Sequence, residues 1–339
     1  MKRLDKSFVQ LSSKFGNDHM LVQGAGGNTS HKNDDGMWIK ASGKWLANAE
    51  KEDIFVLVDP EKIRHNIEEG GIDPLKGSIV DKKTLRPSIE TTLHALMQHK
   101  VVFHCHPVEL LRLLIQEDGK VRLTNLLQDF HCEWVPYVRP GIELTKVVQK
   151  ILKSQQVDVL LLGNHGLVVG GKDSPSVFEI IRKVIDCCSM TPRVLNFRFD
   201  KDIEKLAKFL DMRLPKYEAI HSLALDDISY KYCNDESGVL YPDQAVFLGP
   251  TMSCYDGIIS EERVSRYLEE NKPTSFIILK GKGVLILKDS KVDVDEMLRC
   301  HAEVLMRIGA NKKLSYLTKG EISKLLDWEP EKYRRRLSK

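Results

Sequence analysis

The seven cysteines of this chain include no CxxC pair, and their number is odd. That argues against a zinc ribbon, a thioredoxin-like motif or a disulfide framework and points to a reducing compartment. No run approaches 18 consecutive apolar residues, so no membrane-spanning helix is expected. An excess of one charge is also missing. Lys plus Arg is 51 and Asp plus Glu is 48, a net charge of +3, which argues against nucleic acid or a membrane as the partner. The opening stretch MKRLDKSFVQLSSKF has charges every few residues and no apolar signal core, so a cytoplasmic protein is expected. What is present is ordinary: 42% hydrophobic and 29% charged residues in a chain of 339. Such a chain buries a real core in about two domains.

Leu4, Phe8, Leu11 and Phe15 recur at helical spacing, so residues 1–15 are expected to form an amphipathic helix. Further helices are expected from Pro87-Ser88 to about His99, from Pro107 onward, and over 141–153 and 174–190. Strands are expected at Met37–Lys40, Asp53–Val58, Val101–Cys105 and Val157–Leu162, the last followed by a turn, Gly163–Gly166, and Leu167–Val169. Few clean βαβ units can be drawn, so the prediction is an α/β sandwich with a mostly antiparallel sheet. Periodicity fades around Arg193–Asp200, which places the domain boundary between residues 198 and 199. The second part predicts a helix over Ile203–Met212, strands over Tyr241–Leu248 and Phe276–Leu287, and a helix over Val294–Ile308. A helical tail over 315–337 ends in Arg334-Arg335-Arg336, read as a solvated helix end. LLLGNHGLVVGGKDS (160–174) is similar to IILKGKGVLILKDS (277–290), which raises a degenerate repeat in which Lys282 stands where His165 stands.

The chemistry concentrates in Phe103-His104-Cys105-His106-Pro107. Residues i and i+2 of a strand share a face, so His104 and His106 can grip one cation. His165, in a glycine turn after a buried strand, is a third candidate ligand. Glu90, just before the HxH strand, is a candidate fourth ligand or base. Three histidines and a carboxylate at an open site suit a catalytic metal. Gly24-Ala25-Gly26-Gly27-Asn28-Thr29-Ser30 is neither a GxGxxG nor a P-loop. Its glycines still let backbone N–H groups approach an anion. Ser42-Gly43 and Ser88, the latter at an expected helix N-terminus, could complete a phosphate cradle.

In order, GGNTS, WIKASG, RPSIETTLHAL, VFHCHP, WVPYVRPG and GNHGLVV resemble the class II aldolase and adducin-head family over about residues 5–190, particularly the rhamnulose-phosphate and fuculose-phosphate aldolase types. The resemblance implies a class II aldolase-like three-layer α/β/α fold with a mostly antiparallel central sheet, here followed by a smaller C-terminal α/β domain. It implies His104, His106 and His165 as metal ligands, Glu90 as the catalytic carboxylate, and Gly27, Asn28, Ser42, Gly43 and Ser88 as the substrate-phosphate site. Ile89 departs from a second serine of the fuculose-phosphate type. No tyrosine occurs from Cys105 to Val135 to take that type's catalytic tyrosine role. Tyr137 is read as structural.

The implied function is that of a metal-dependent aldehyde-lyase, cleaving a sugar phosphate in a reversible retro-aldol reaction through a metal-stabilised enediolate. The cofactor is a divalent ion, zinc first, with manganese or cobalt as alternatives. The expected assembly is a homo-oligomer, a tetramer by preference, with sites between subunits. Epimerisation or dehydration of a sugar phosphate on the same scaffold is the alternative within the enzymes. A non-catalytic, adducin-like interaction module is the alternative outside them, although adducin heads lack the histidines that this chain keeps.

Overall fold

The segment VVFHC is apolar at four of five positions, and a central strand is where such a run is buried on both sides. The computed structural model, which describes residues 4–71, 73–81, 84–195, 202–235, 238–273 and 275–337, places it in the middle of a seven-stranded sheet. The chain divides into two compact units, residues 1–114, 118–189 and 336–338 in one and residues 115–117, 190–335 and 339 in the other. The boundary expected between residues 198 and 199 lies outside the described residues.

In the first unit the strands are β1 (Asn28–Asn33), β2 (Gly36–Lys40), β3 (Phe55–Val58), β4 (Val101–Cys105), β5 (Cys132–Val135), β6 (Val159–Leu162) and β7 (Gly166–Gly171). The helices are α1 (Lys6–Gly16), α2 (Pro60–Glu68), α3 (Thr91–Leu96), α4 (Val108–Leu114), α5 (Gly119–Leu126), α6 (Ile142–Ser154) and α7 (Ser174–Cys188). The sheet order is β3-β2-β1-β4-β7-β6-β5. Only the β5–β6 pair is parallel, so the expectation of a mostly antiparallel sheet holds. Alternation along β4 sorts the helices into layers. Val101, Phe103 and Cys105 pack with Phe8 and Phe15 of α1, Leu110 of α4 and Val177 of α7. Val102, on the opposite face, packs with Leu93 of α3 and Leu144 and Val148 of α6. Ile63 and Ile67 of α2 cover β2 and β3 on that same side.

The second unit contains α8 (Asp202–Phe209), β8 (Met212–Arg213), α9 (Ser222–Leu225), α10 (Asp227–Cys233), α11 (Pro242–Leu248), β9 (Cys254–Tyr255), α12 (Glu261–Asn271), β10 (Phe276–Leu279), β11 (Gly283–Leu287), α13 (Val292–Leu305), α14 (Lys319–Leu326) and α15 (Glu329–Leu337) up to Arg335. Its sheet runs β8-β11-β10-β9. No described helix is long and apolar enough to cross a membrane.

Several elements differ from the sequence reading. Tyr241–Leu248 is a helix rather than a strand. Tyr241 precedes it in an extended conformation and Pro242 opens it; proline is favoured at a first helical position, and that signal outweighs the short apolar run. The helix expected from Pro87 begins only at Thr91, with Glu90 as its N-cap. Ser88 is therefore not at a helix N-terminus. The expected 315–337 helix is two, divided around Asp327-Trp328, with Pro330 in the first turn of the second. Its arginine run is not a solvated end throughout: Arg334 is buried and forms a bidentate pair with Asp243 at 2.7 and 3.0 Å.

Candidate metal centre

Strand parity delivers the first two candidate ligands. His104 shares its face of β4 with Val102, toward α3 and α6, and His106 follows with the same parity just past the strand end. The β6–β7 hairpin brings the third. Asn164 adopts a left-handed conformation, φ 54°, and turns the chain so that His165 stands opposite. Gly166 lets the hairpin close on β4: a Cβ there would lie 2.4 Å from the Cys105 carbonyl oxygen and 2.8 Å from His106 Cδ2. The outcome is one ligand atom from each of His104, His106 and His165 within 4.8 Å of the others. All three residues are buried.

The ring nitrogens are sorted for ligation. His104 Nδ1 lies 3.0 Å from the Leu167 carbonyl oxygen, which can only accept, so Nδ1 carries the proton and Nε2 keeps its lone pair. His104 Nε2 and His106 Nε2 are 3.0 Å apart. Two nitrogens on one tetrahedral zinc at ~2.0–2.1 Å stand ~3.3 Å apart, so this donor set fits a divalent cation.

Glu90 completes the cluster. Its Oε2 is 3.2 Å from His104 Nε2 and its Oε1 is 3.6 Å from His165 Nε2. Asn28 Nδ2 donates to Glu90 Oε2 at 2.8 Å. Register explains the meeting, because Asn28 on β1 is directly opposite His104 on β4. Gly27 belongs here too. It has φ 56°, and a Cβ on it would lie 2.8 Å from the His104 carbonyl oxygen.

Of the expected phosphate residues, Ser42, Gly43 and Ser88 come together through backbone pairing. Ala41 bridges Pro87, Ser42 N–H donates to the Arg86 carbonyl at 2.9 Å, and Ser88 N–H donates to the Lys40 carbonyl at 3.0 Å. Gly27 and Asn28 are engaged at the histidine cluster instead. The sequence reading missed Lys40. Its side chain is buried, and Nζ donates to the Ala25 carbonyl at 3.0 Å and the Lys44 carbonyl at 2.6 Å, tying the glycine-rich loop to the Ser42–Gly43 turn. A lysine inside the strand MWIK, beside a candidate phosphate turn, was the available signal.

His94 was also missed. It is buried, and Nδ1 lies 2.7 Å from Ser30 Oγ. Burial, with Lys32 and His104 nearby, holds its pKa well below the usual histidine range. In the second unit, two buried histidines, His221 and His301, each contact a group of the same unit. His221 Nδ1 accepts the Val284 N–H at 3.1 Å, and His301 Nδ1 is 3.2 Å from the Tyr241 hydroxyl.

The sequence profile of the Class II Aldolase and Adducin N-terminal domain family matches residues 6–191, and the chain belongs to that family. Among curated proteins, it is 29% identical over 214 residues to the uncharacterized oxidoreductase YuxG of Bacillus subtilis, covering 58% of this chain but 30% of that one. It is 25% identical over 181 residues to an L-fuculose phosphate aldolase of Methanocaldococcus jannaschii, covering 50% of this chain and 84% of the relative. Among solved structures, the N-terminal class II aldolase domain of a conserved protein from Thermoplasma acidophilum aligns with a TM-score of 0.47 and 25% identity, covering 56% of this chain and 94% of that one.

Proposed function

We propose that the chain is a divalent-metal-dependent aldehyde-lyase that cleaves a sugar phosphate by a reversible retro-aldol reaction. The observation that carries this reading is the convergence of three buried histidines on a carboxylate, Glu90, held by Asn28. His104, His106 and His165 would hold the cation, zinc first and manganese or cobalt as alternatives. When bound, it supplies Lewis-acid polarisation of the substrate carbonyl. Glu90 moves a proton on the nucleophilic fragment as general base or acid. Asn28 fixes one carboxylate oxygen and leaves the other toward His165. Gly27, Ser42, Gly43 and Ser88, with the charge of Lys40 behind them, hold the phosphate and so orient the substrate. A neighbouring subunit of a homotetramer supplies the proton donor to the leaving aldehyde oxygen.

We also propose that the second unit is a degenerate copy of part of the first. Its sheet order and directions, β8-β11-β10-β9, repeat those of β4-β7-β6-β5. Asn164 and Gly281 turn the matching hairpins with φ 54° and 69°. Lys282 replaces His165, so one ion per chain is expected and two would overturn the reading.

The direct test incubates protein purified without chelators or a nickel column with a panel of ketose phosphates. Free aldehyde plus a three-carbon ketone phosphate supports the lyase. An isomer of unchanged mass indicates the epimerase, and a folded protein that takes up no metal indicates the adducin-like module.

A further inference from the structure

Helix α3 and strand β1 run side by side from the metal centre, and their repeats match. Four residues of helix rise about 6 Å, and two residues of strand rise about 6.6 Å. Glu90 and His94 are four apart, joined by the His94 N–H to Glu90 carbonyl bond at 3.1 Å. Asn28 and Ser30 are two apart on one face of β1, opposite His104 and Val102 of β4. Each helix-side residue meets its strand-side counterpart. Asn28 Nδ2 donates to Glu90 Oε2 at 2.8 Å, and His94 Nδ1 lies 2.7 Å from Ser30 Oγ. A third rung follows beyond the helix, where Lys32 Nζ donates to the His99 carbonyl at 2.9 Å.

The His94 rung is costly to keep. His94 is 0% exposed, and its Nε2 finds no hydrogen-bond partner among the described residues. Leaving such a group unsatisfied costs about 1–3 kcal/mol, whereas an apolar side chain of similar shape avoids the penalty. Packing alone therefore favours a different residue here. The benefit of the imidazole is its bond to Ser30, one turn from the carboxylate that faces the histidine cluster.

We propose that His94 and Ser30 are positioning residues for Glu90: their hydrogen bond locks the first turn of α3 to β1 and so holds the Glu90 carboxylate on Asn28 and against the metal ligands. This rests on the lyase reading for its kinetic consequence but not for its geometric one. Loss of the rung frees α3 to shift along β1, and the Asn28–Glu90 bond fails first because both partners are side chains.

The test uses the full-length chain and three variants, His94→Phe, Ser30→Ala and His94→Gln. Crystal structures of wild type, His94→Phe and Ser30→Ala read the geometry directly. The expected result is loss of the Asn28–Glu90 bond and a second orientation of the carboxylate in both variants. A carboxylate unmoved in both overturns the inference. Ser30→Ala removes only one hydroxyl and covers the case in which His94→Phe does not fold. In turnover, loss of such a supporting contact costs about 10–100-fold, expected here in kcat with KM within about threefold and recovered in His94→Gln. An unchanged kcat in both disrupting variants also overturns it. A wild-type protein that turns over no ketose phosphate, yet loses the Asn28–Glu90 bond in the variants, refutes the lyase reading and upholds the positioning role.

Discussion

His104 has one nitrogen engaged by the Leu167 carbonyl, at 3.0 Å, and the other aimed at His106, so its proposed role as a ligand rests on one backbone hydrogen bond. Elemental analysis is expected to find about one divalent ion per chain in the wild type and none retained through purification in His104→Ala, because the variant lacks one of the three imidazoles that converge at the site. Circular dichroism should show the variant still folded. Lys40 is a second residue whose consequence is local. Lys40→Met leaves the Ala25 and Lys44 carbonyls without their shared donor. Hydrogen bonds to a charged group contribute about 1.5–3 kcal/mol, so a denaturant titration should show a loss of that size, and KM for a phosphorylated substrate should rise.

At the scale of elements, the β6–β7 hairpin is the piece that assembles the centre. It pairs with β4 so that Leu167 lies opposite Cys105, and that register carries His165 to the end of β4 where His104 and His106 lie. Gly166→Ala places a methyl 2.4 Å from the Cys105 carbonyl oxygen, and backbone must move to relieve it. Thermal denaturation is expected to show a loss of about 1–3 kcal/mol. Chelator competition should show weaker metal binding, since the hairpin that carries the candidate ligand His165 is displaced from the strand whose end carries His104 and His106. A variant of unchanged metal affinity would mean that the hairpin has slack this packing does not reveal.

At the scale of the whole molecule, buried titratable groups set the acid limit of stability. Burial depresses His221 to about 4 and His301 to about 3, against 6.5 for an exposed histidine. Unfolding lets both take up protons below about pH 6.5, so their contribution is present above that pH and falls away as the pH drops toward 4. Asp293 works in the opposite sense. Burial, offset by Arg334, raises it to about 6, so the folded state holds its proton between about pH 4 and 6 and that contribution falls as the pH rises. The net difference for these three groups is one proton in favour of the unfolded state, about 1.4 kcal/mol per pH unit. Asp293→Asn removes the opposing proton. Chemical denaturation from pH 4 to 6 should show the variant gaining stability relative to wild type as the pH rises, and parallel profiles would refute the assignment.

By itself the sequence determined the chemical inventory and the local geometry that has a fixed period. HxH on a strand dictates two imidazoles on one face, and glycines around His165 dictate a turn. The ordered motifs from GGNTS to GNHGLVV carried the family. What it left open were relations with no local period. Asn28 reaches Glu90, 62 positions away, only because β1 lies antiparallel to β4 with Asn28 opposite His104. Lys40 reads as a polar end to a strand until two loop carbonyls close on it. Arg334 reads as solvated until α15 lays it on Asp243. Tyr241–Leu248 could satisfy either period, and its surroundings, buried along nearly the whole segment, decided for the helix that Pro242 starts. Tertiary structure decided these because a polar side chain is defined by its partner, and partners far apart in sequence are chosen by sheet register and helix docking.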